Sequence, residues 1–229
     1  MDIKDYTGYT IELENSDRGC KIMSYKTFTK EKQSDVQFLK EVGMKPHHKI
    51  LDIGCGGGRL GYELINYLDK GNYYGFDKEK NWIESFRLAV TVNNLSSKKP
   101  TILLSGFDWD LKSDVELDYV YAYSVFTHVE LSLAKECLKN LRPYLSSNCE
   151  FYATLLVGEN DYKMGPVHTQ RPNEYNYIHY SLDFFDKILK ESGYYLEDID
   201  APEQLIGPTN ASVNGDLRHR MVLIKREEK

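Results

Sequence analysis

The chain has 229 residues, a formal net charge of −6 and 41% hydrophobic residues, enough to bury a sizeable core in one domain with modest additions. The acidic balance argues against broad phosphate neutralisation, so nucleic acid is not an expected partner. Four cysteines, Cys20, Cys55, Cys137 and Cys149, form no C-x-x-C pair and no zinc-like cluster with histidine, so neither a disulfide framework nor a metal site is signalled.

The first residues, MDIKDYTGYT, are acidic and polar where a secretion signal is basic and then apolar. No apolar run approaches the about 20 residues of a membrane span, so a cytoplasmic protein without a membrane partner is expected. From Lys30 to Val42, Val36, Leu39 and Val42 recur at near-helical spacing before Gly43 and Pro46. KILDIG then reads as a buried strand and RLGYELINYLDK as an amphipathic helix. NYYGFD is a second strand, KEKNWIESFRLAVTVNN its helix, and TILLSG a third strand. ELDYVYAYS, LSLAKECLKNLRPYL and CEFYATLLV repeat the alternation as strand, helix and strand.

Residues 158–180 read as a long irregular insertion. After it, SLDFFDKILKESG forms a helix capped by Gly193, and YYLEDID and RHRMVLIK supply two more strands. No helix of ordinary length fits between those two, so they pair antiparallel. The expected fold is α/β, a Rossmann-like three-layer sandwich with a mostly parallel seven-stranded sheet and an antiparallel final strand.

Two glycine patterns overlap in LDIGCGGGRLG. Gly54, Gly56 and Gly58 fit G-x-G-x-G behind the acid Asp52, whereas Gly56, Gly58 and Gly61 fit the G-x-G-x-x-G of dinucleotide-binding turns. Starting the second pattern at Gly56 forces Gly54 and Cys55 into the strand end and leaves Asp52 unexplained. The first keeps KILDI as the strand with Asp52 at its carboxyl end, where a carboxylate suits a cationic or amino-bearing ligand and repels a pyrophosphate.

With these motifs in place, the chain resembles a class I S-adenosylmethionine-dependent methyltransferase from about Lys30 to Arg226, of the small-molecule or glycan-modifying type. The resemblance implies S-adenosyl-L-methionine as cofactor. It implies that the loop of Gly54, Cys55, Gly56 and Gly58 after Asp52 wraps the methionine part, and that Asp77, with Lys78 beside it, holds the ribose hydroxyls. The resemblance places Asp108 to meet the adenine amine, with Asp110 two positions on as the alternative. Trp109 either stacks near the adenine or packs.

YSVFTHVE follows the fourth strand, where the family places the methionine amine and the reacting atom of the acceptor; Tyr123 and Ser124 belong there. The segment has no proline, unlike the Asn-or-Asp-Pro-Pro-aromatic motif of enzymes that methylate base amines. Methyl transfer relies on positioning in line, and a hydroxyl acceptor gains from a base with a pKa near neutrality, such as histidine at about 6.5. His128 is the candidate catalytic base, with a capping or packing role for the helix near Glu130 as the alternative.

Residues 158–180 lie where the family builds its substrate cover, and they carry His168, Arg171 and His179 as candidate substrate contacts, the last two suited to an anionic or sugar-bearing acceptor. Residues 1–29 are read as an N-terminal extension expected to cover cofactor or substrate in the same way, with Tyr25 as a candidate contact, and residues 30–229 are the expected methyltransferase domain. The implied function is methyl transfer to a hydroxyl of a small molecule or sugar. An amine acceptor, a nicotinamide-dependent oxidoreductase and a non-catalytic cofactor-binding subunit are the alternatives.

Overall fold

Ile50–Ile53 (β1) is apolar apart from Asp52, and all four residues are buried, as a strand covered on both faces requires. In the computed structural model, residues 33–108, 111, 114–166, 176–198 and 218–227 are described. The chain divides into two units, Met1–Gly106 and Phe107–Lys229.

The first unit holds helix α1 (Gln33–Glu41), β1, α2 (Gly61–Tyr67), β2 (Tyr73–Asp77), α3 (Lys80–Val92) and β3 (Thr101–Leu104). β2 lies between β1 and β3 and runs parallel to both, with Asp52 opposite Gly75 and Asp77 opposite Leu104. Leu39, Met44, Leu64, Leu68 and Phe86 are fully buried in its core. The parallel order follows from the helical crossovers α2 and α3, which return the chain to the same end of the sheet each time.

The second unit holds β4 (Leu117–Ala122), α4 (Leu131–Leu141), β5 (Leu145–Val157), β6 (Tyr162–Pro166), β7 (Asn176–Tyr180), α5 (Leu182–Glu191), β8 (Tyr194–Asp198) and β9 (Arg218–Arg226). β4 is parallel to β5, β9 runs antiparallel to β5 from Phe151 to Val157, and β8 is antiparallel to β9. The antiparallel final strand is as the short non-helical connection requires. α4 ends in a single 3₁₀ turn over Arg142–Tyr144, where Pro143 stops it. Gly193 leaves α5 at φ +75°, and Arg142 Nη1 donates to the carbonyls of Ser192 (3.1 Å) and Gly193 (2.8 Å).

The strand count departs from expectation. Nine strands are described where seven were expected, because the stretch read as irregular contains the antiparallel hairpin β6–β7. Asn176–Tyr180 is rich in tyrosine and isoleucine, residues that favour a half-buried pleated surface. Tyr180 continues the edge of β5 in parallel at Val157, and Ile178 and Tyr180 are buried against the unit's core. Among the described residues no helix is long and apolar enough to cross a membrane.

Candidate functional site

The loop leaving β1 is built on backbone conformations that only glycine adopts freely. Gly54, Gly56 and Gly58 have φ of +67°, +52° and +87°. Gly61 differs: it is helical, and a Cβ there would strike the Tyr73 hydroxyl and the Phe86 ring. Thus G-x-G-x-G supplies the turn, and the last glycine of the overlapping pattern lets α2 pack closely on β2.

A Cβ on Gly56 would meet nothing within 4 Å, whereas one on Gly58 would run into the buried Phe86 ring. The left-handed backbone costs a substituted residue about 1 to 2 kcal/mol, and displacing a well-packed ring about 1 to 3 more. Urea melts should therefore show Gly58→Ala losing clearly more stability than Gly56→Ala. Equal losses would mean that Phe86 yields without cost.

Asp77 ends β2 beneath this loop. Its Oδ2 accepts the Gly56 N–H (3.0 Å) and its Oδ1 the Glu79 N–H (2.9 Å). One carboxylate thus ties the glycine loop to the start of α3, and each oxygen keeps acceptor capacity for a further donor. Burial raises its pKa above the ordinary carboxylate value, opposed by those two backbone bonds. Lys78 is exposed beside it. The acceptor capacity of Asp77 and the open space at Gly56 together fit a ligand that presents vicinal hydroxyls to a glycine turn.

Asp52 is buried, 4% exposed, and its Oδ2 accepts the Tyr73 hydroxyl at 2.8 Å. Tyr73 is the residue that sequence reasoning missed. Its ring stands edge-on to Phe86 (5.9 Å), and its hydroxyl fills the space that glycine leaves at positions 61 and 75. The sequence signal was the pairing of a strand tyrosine with those two glycines. Burial and then the Asp52 charge hold the phenol well above its usual pKa, so it remains a donor. The same forces, with Asp77 added, push the Cys55 thiol well up, which leaves it a small loop residue without nucleophilic character.

In the second unit, Ser124 turns the chain after β4 with φ +57°, unusual for a residue other than glycine. The turn is held by hydrogen bonds. Ser124 N–H donates to Thr154 Oγ1 (2.6 Å), Thr127 Oγ1 donates to the Ser124 carbonyl (2.9 Å), and the Ser124 and Thr127 hydroxyls lie 3.0 Å apart. Thr127 and Thr154 are fully buried, and Phe126 packs on Phe151 and Phe185. This anchoring presents the following residue, His128, on the exposed side with its ring 4.7 Å from Tyr177 of β7. The neighbouring Thr127 carbonyl accepts the Ile178 N–H at 2.8 Å.

Tyr123 is half-buried before the turn, and Asp108 is exposed after β3. His179 lies on β7, 8% exposed, opposite Lys163 of β6. Burial and then the Lys163 charge lower its pKa. Tyr25, Trp109, Asp110, His168 and Arg171, with the extension 1–29, lie outside the described residues.

A family model described as a methyltransferase domain matches residues 44–211. The mitochondrial ubiquinone biosynthesis O-methyltransferase of Saccharomyces cerevisiae is 24% identical over 187 residues, 72% of this chain and 58% of that protein. The chain thus spans 58% of the length of that relative. Among solved structures, the magnesium protoporphyrin IX methyltransferase of Synechocystis PCC 6803 with bound S-adenosylmethionine gives a TM-score of 0.55 at 15% identity, covering 87% of this chain and 78% of the other. The 1,6-didemethyltoxoflavin-N1-methyltransferase of Burkholderia thailandensis, with its substrate and S-adenosylhomocysteine, gives 0.62 at 12% identity, covering 90% and 81%.

Proposed function

We propose, from the premise that this chain belongs to the methyltransferase-domain family and is a class I S-adenosylmethionine-dependent methyltransferase, that it methylates a hydroxyl of a small molecule or sugar, with His128 as the base. The observation that carries the oxygen assignment is the exposed His128 imidazole, braced by Tyr177 on a turn that Ser124, Thr127 and Thr154 fix. A hydroxyl becomes a competent nucleophile only as its proton leaves, and a positioned imidazole accepts that proton.

The cofactor, when bound, supplies an electrophilic methyl group on a sulfonium. The residues proposed to hold it are Asp52, Gly54, Cys55, Gly56, Gly58, Asp77 and Lys78 in the first unit. By family resemblance, Asp108, Trp109, Tyr123 and Ser124 are also proposed as cofactor contacts. Residues 158–180 and 1–29 are proposed as covers for acceptor and cofactor, and Tyr25, His168, Arg171 and His179 as acceptor contacts. A cytoplasmic setting belongs to the same reading and is supported by Cys55, Cys137 and Cys149, all buried free thiols.

The test is release of S-adenosylhomocysteine on a panel of hydroxyl and amine acceptors, beside thermal melts with S-adenosylmethionine and NAD, since a ligand of the native state raises apparent stability. Turnover confined to amines would overturn the hydroxyl assignment. In the same melts, Gly56→Val should keep its transition and lose the shift caused by S-adenosylmethionine, because the branched side chain enters the open space over the loop. A wild-type shift in that variant would remove the loop from the cofactor site.

A further inference from the structure

Successive side chains of β7 alternate, so Ile178 and Tyr180 face one way and Tyr177 and His179 the other. Ile178 and Tyr180 are buried, with Tyr180 against Phe185 (5.1 Å). Tyr177 lies against His128, which puts His179 on the His128 side of the hairpin. His179 is more than nine-tenths buried, yet among the described residues its Nδ1 has no hydrogen-bond partner. A buried ring nitrogen left unpaired costs stability, and native structures rarely leave one without a reason.

Lys163 stands directly across the ladder from His179, and cross-strand partners share a face. It is exposed, and among the described residues no carboxylate pairs with it. A neutral ligand would satisfy Nδ1 and leave the ammonium unpaired. An anion satisfies both, because its oxygens accept from Lys163 Nζ and from a proton carried on His179 Nδ1.

We propose that Lys163 and His179 form an anion-recognition site on the acceptor-facing side of the β6–β7 hairpin, and that the acceptor is a hydroxyl compound bearing a carboxylate or a phosphate. The assignment of this anion to the acceptor rests on the hydroxyl-transfer reading; the anion site itself does not. Lys163 is a specificity determinant that sequence patterning did not single out, because a lone lysine in an unassigned strand carries no motif.

The site can be read without turnover. In the 229-residue chain, the histidine Cε1–H signals are followed by NMR, with that of His179 identified by its loss in His179→Gln. Inorganic phosphate and acetate are titrated separately, so that the response identifies which anion the site prefers. The expected result is a saturable shift of the His179 signal by at least one of them, weakened about fivefold in Lys163→Met, the scale of one partly exposed charge contact. Absence of a saturable shift with both anions, or equal affinity in a folded Lys163→Met protein, overturns the proposal.

A second arm compares hydroxy acids with their methyl esters as acceptors. The acids should have the higher kcat/KM, and Lys163→Met should abolish that preference while sparing the esters. Equal use of acid and ester by the wild type overturns the assignment of the anion to the acceptor. Complete failure of transfer to hydroxyls would defeat the function proposed above, and the NMR titration would still decide whether the anion site exists.

Discussion

Alanine in place of His128 is expected to lower turnover on a hydroxyl acceptor by about 10² to 10⁴, the usual contribution of a positioned acid or base, with affinity for S-adenosylmethionine nearly unchanged. The side chain is exposed, and its described ring contact is with Tyr177. Removing it should cost about 1 kcal/mol, the centre of the range for point substitutions, and leave the protein folded. Turnover by the folded variant makes the experiment decisive: a packing residue would cost stability and spare the rate. The wild-type rate should also rise with pH as the imidazole loses its proton, and the alanine variant should lose that dependence. Full turnover on a hydroxyl substrate by folded His128→Ala would end the base assignment and leave the methyltransferase family untouched.

The second large effect is expected at Asp77. Asp77→Ala removes the carboxylate proposed to accept from the ribose hydroxyls, where a hydrogen bond to a charged group is worth about 1.5 to 3 kcal/mol. It also frees the Gly56 N–H from its partner and so loosens the turn. Calorimetry should show S-adenosylmethionine binding weakened by about tenfold or more, since each 1.36 kcal/mol is a factor of ten. Asp77→Asn is informative beside it, because its amide must turn an N–H₂ toward either Gly56 or Glu79, both of which donate.

The pH dependence of binding has a definite sign at this residue. Burial raises the Asp77 pKa, and the ionised form is the better acceptor. Affinity should therefore fall as pH is lowered through a range above the ordinary carboxylate value of about 3.9. Wild-type affinity in a folded Asp77→Ala protein would withdraw the ribose role.

The parts of the fold with strong periodicity were legible from sequence. KILDIG, NYYGFD and ELDYVYAYS read as strands because they are apolar runs bounded by turn residues, and they form β1, β2 and β4. The antiparallel end of the sheet followed from the lack of room for a crossover between Asp200 and Arg218. The β6–β7 hairpin was not legible, because its strands are short, lack a regular alternation of apolar and polar residues, and are not joined by a two-residue turn. The glycine loop could be read from its spacing, and Asp77 at the end of β2 was marked by the family resemblance. The contact between them could not be read, since sequence separation says nothing of which backbone N–H a carboxylate selects. Tyr73 escaped notice because a buried tyrosine in a strand is ordinary until its hydroxyl is seen to meet Asp52.

The hydrogen bond from Ile178 N–H to the Thr127 carbonyl ties the hairpin to the turn that carries His128. At the end of β5, Val157 pairs with Tyr180 of β7, and the Gly158 N–H donates to the Tyr180 carbonyl at 3.0 Å. The hairpin is therefore joined both to the turn that carries His128 and to the sheet it extends. For protein engineering, this makes residues 123–129 and 162–180 one heritable cassette. Transplanting the hairpin alone between relatives would remove the Ile178 donor from the turn that carries His128, whereas moving both segments would keep that hydrogen bond.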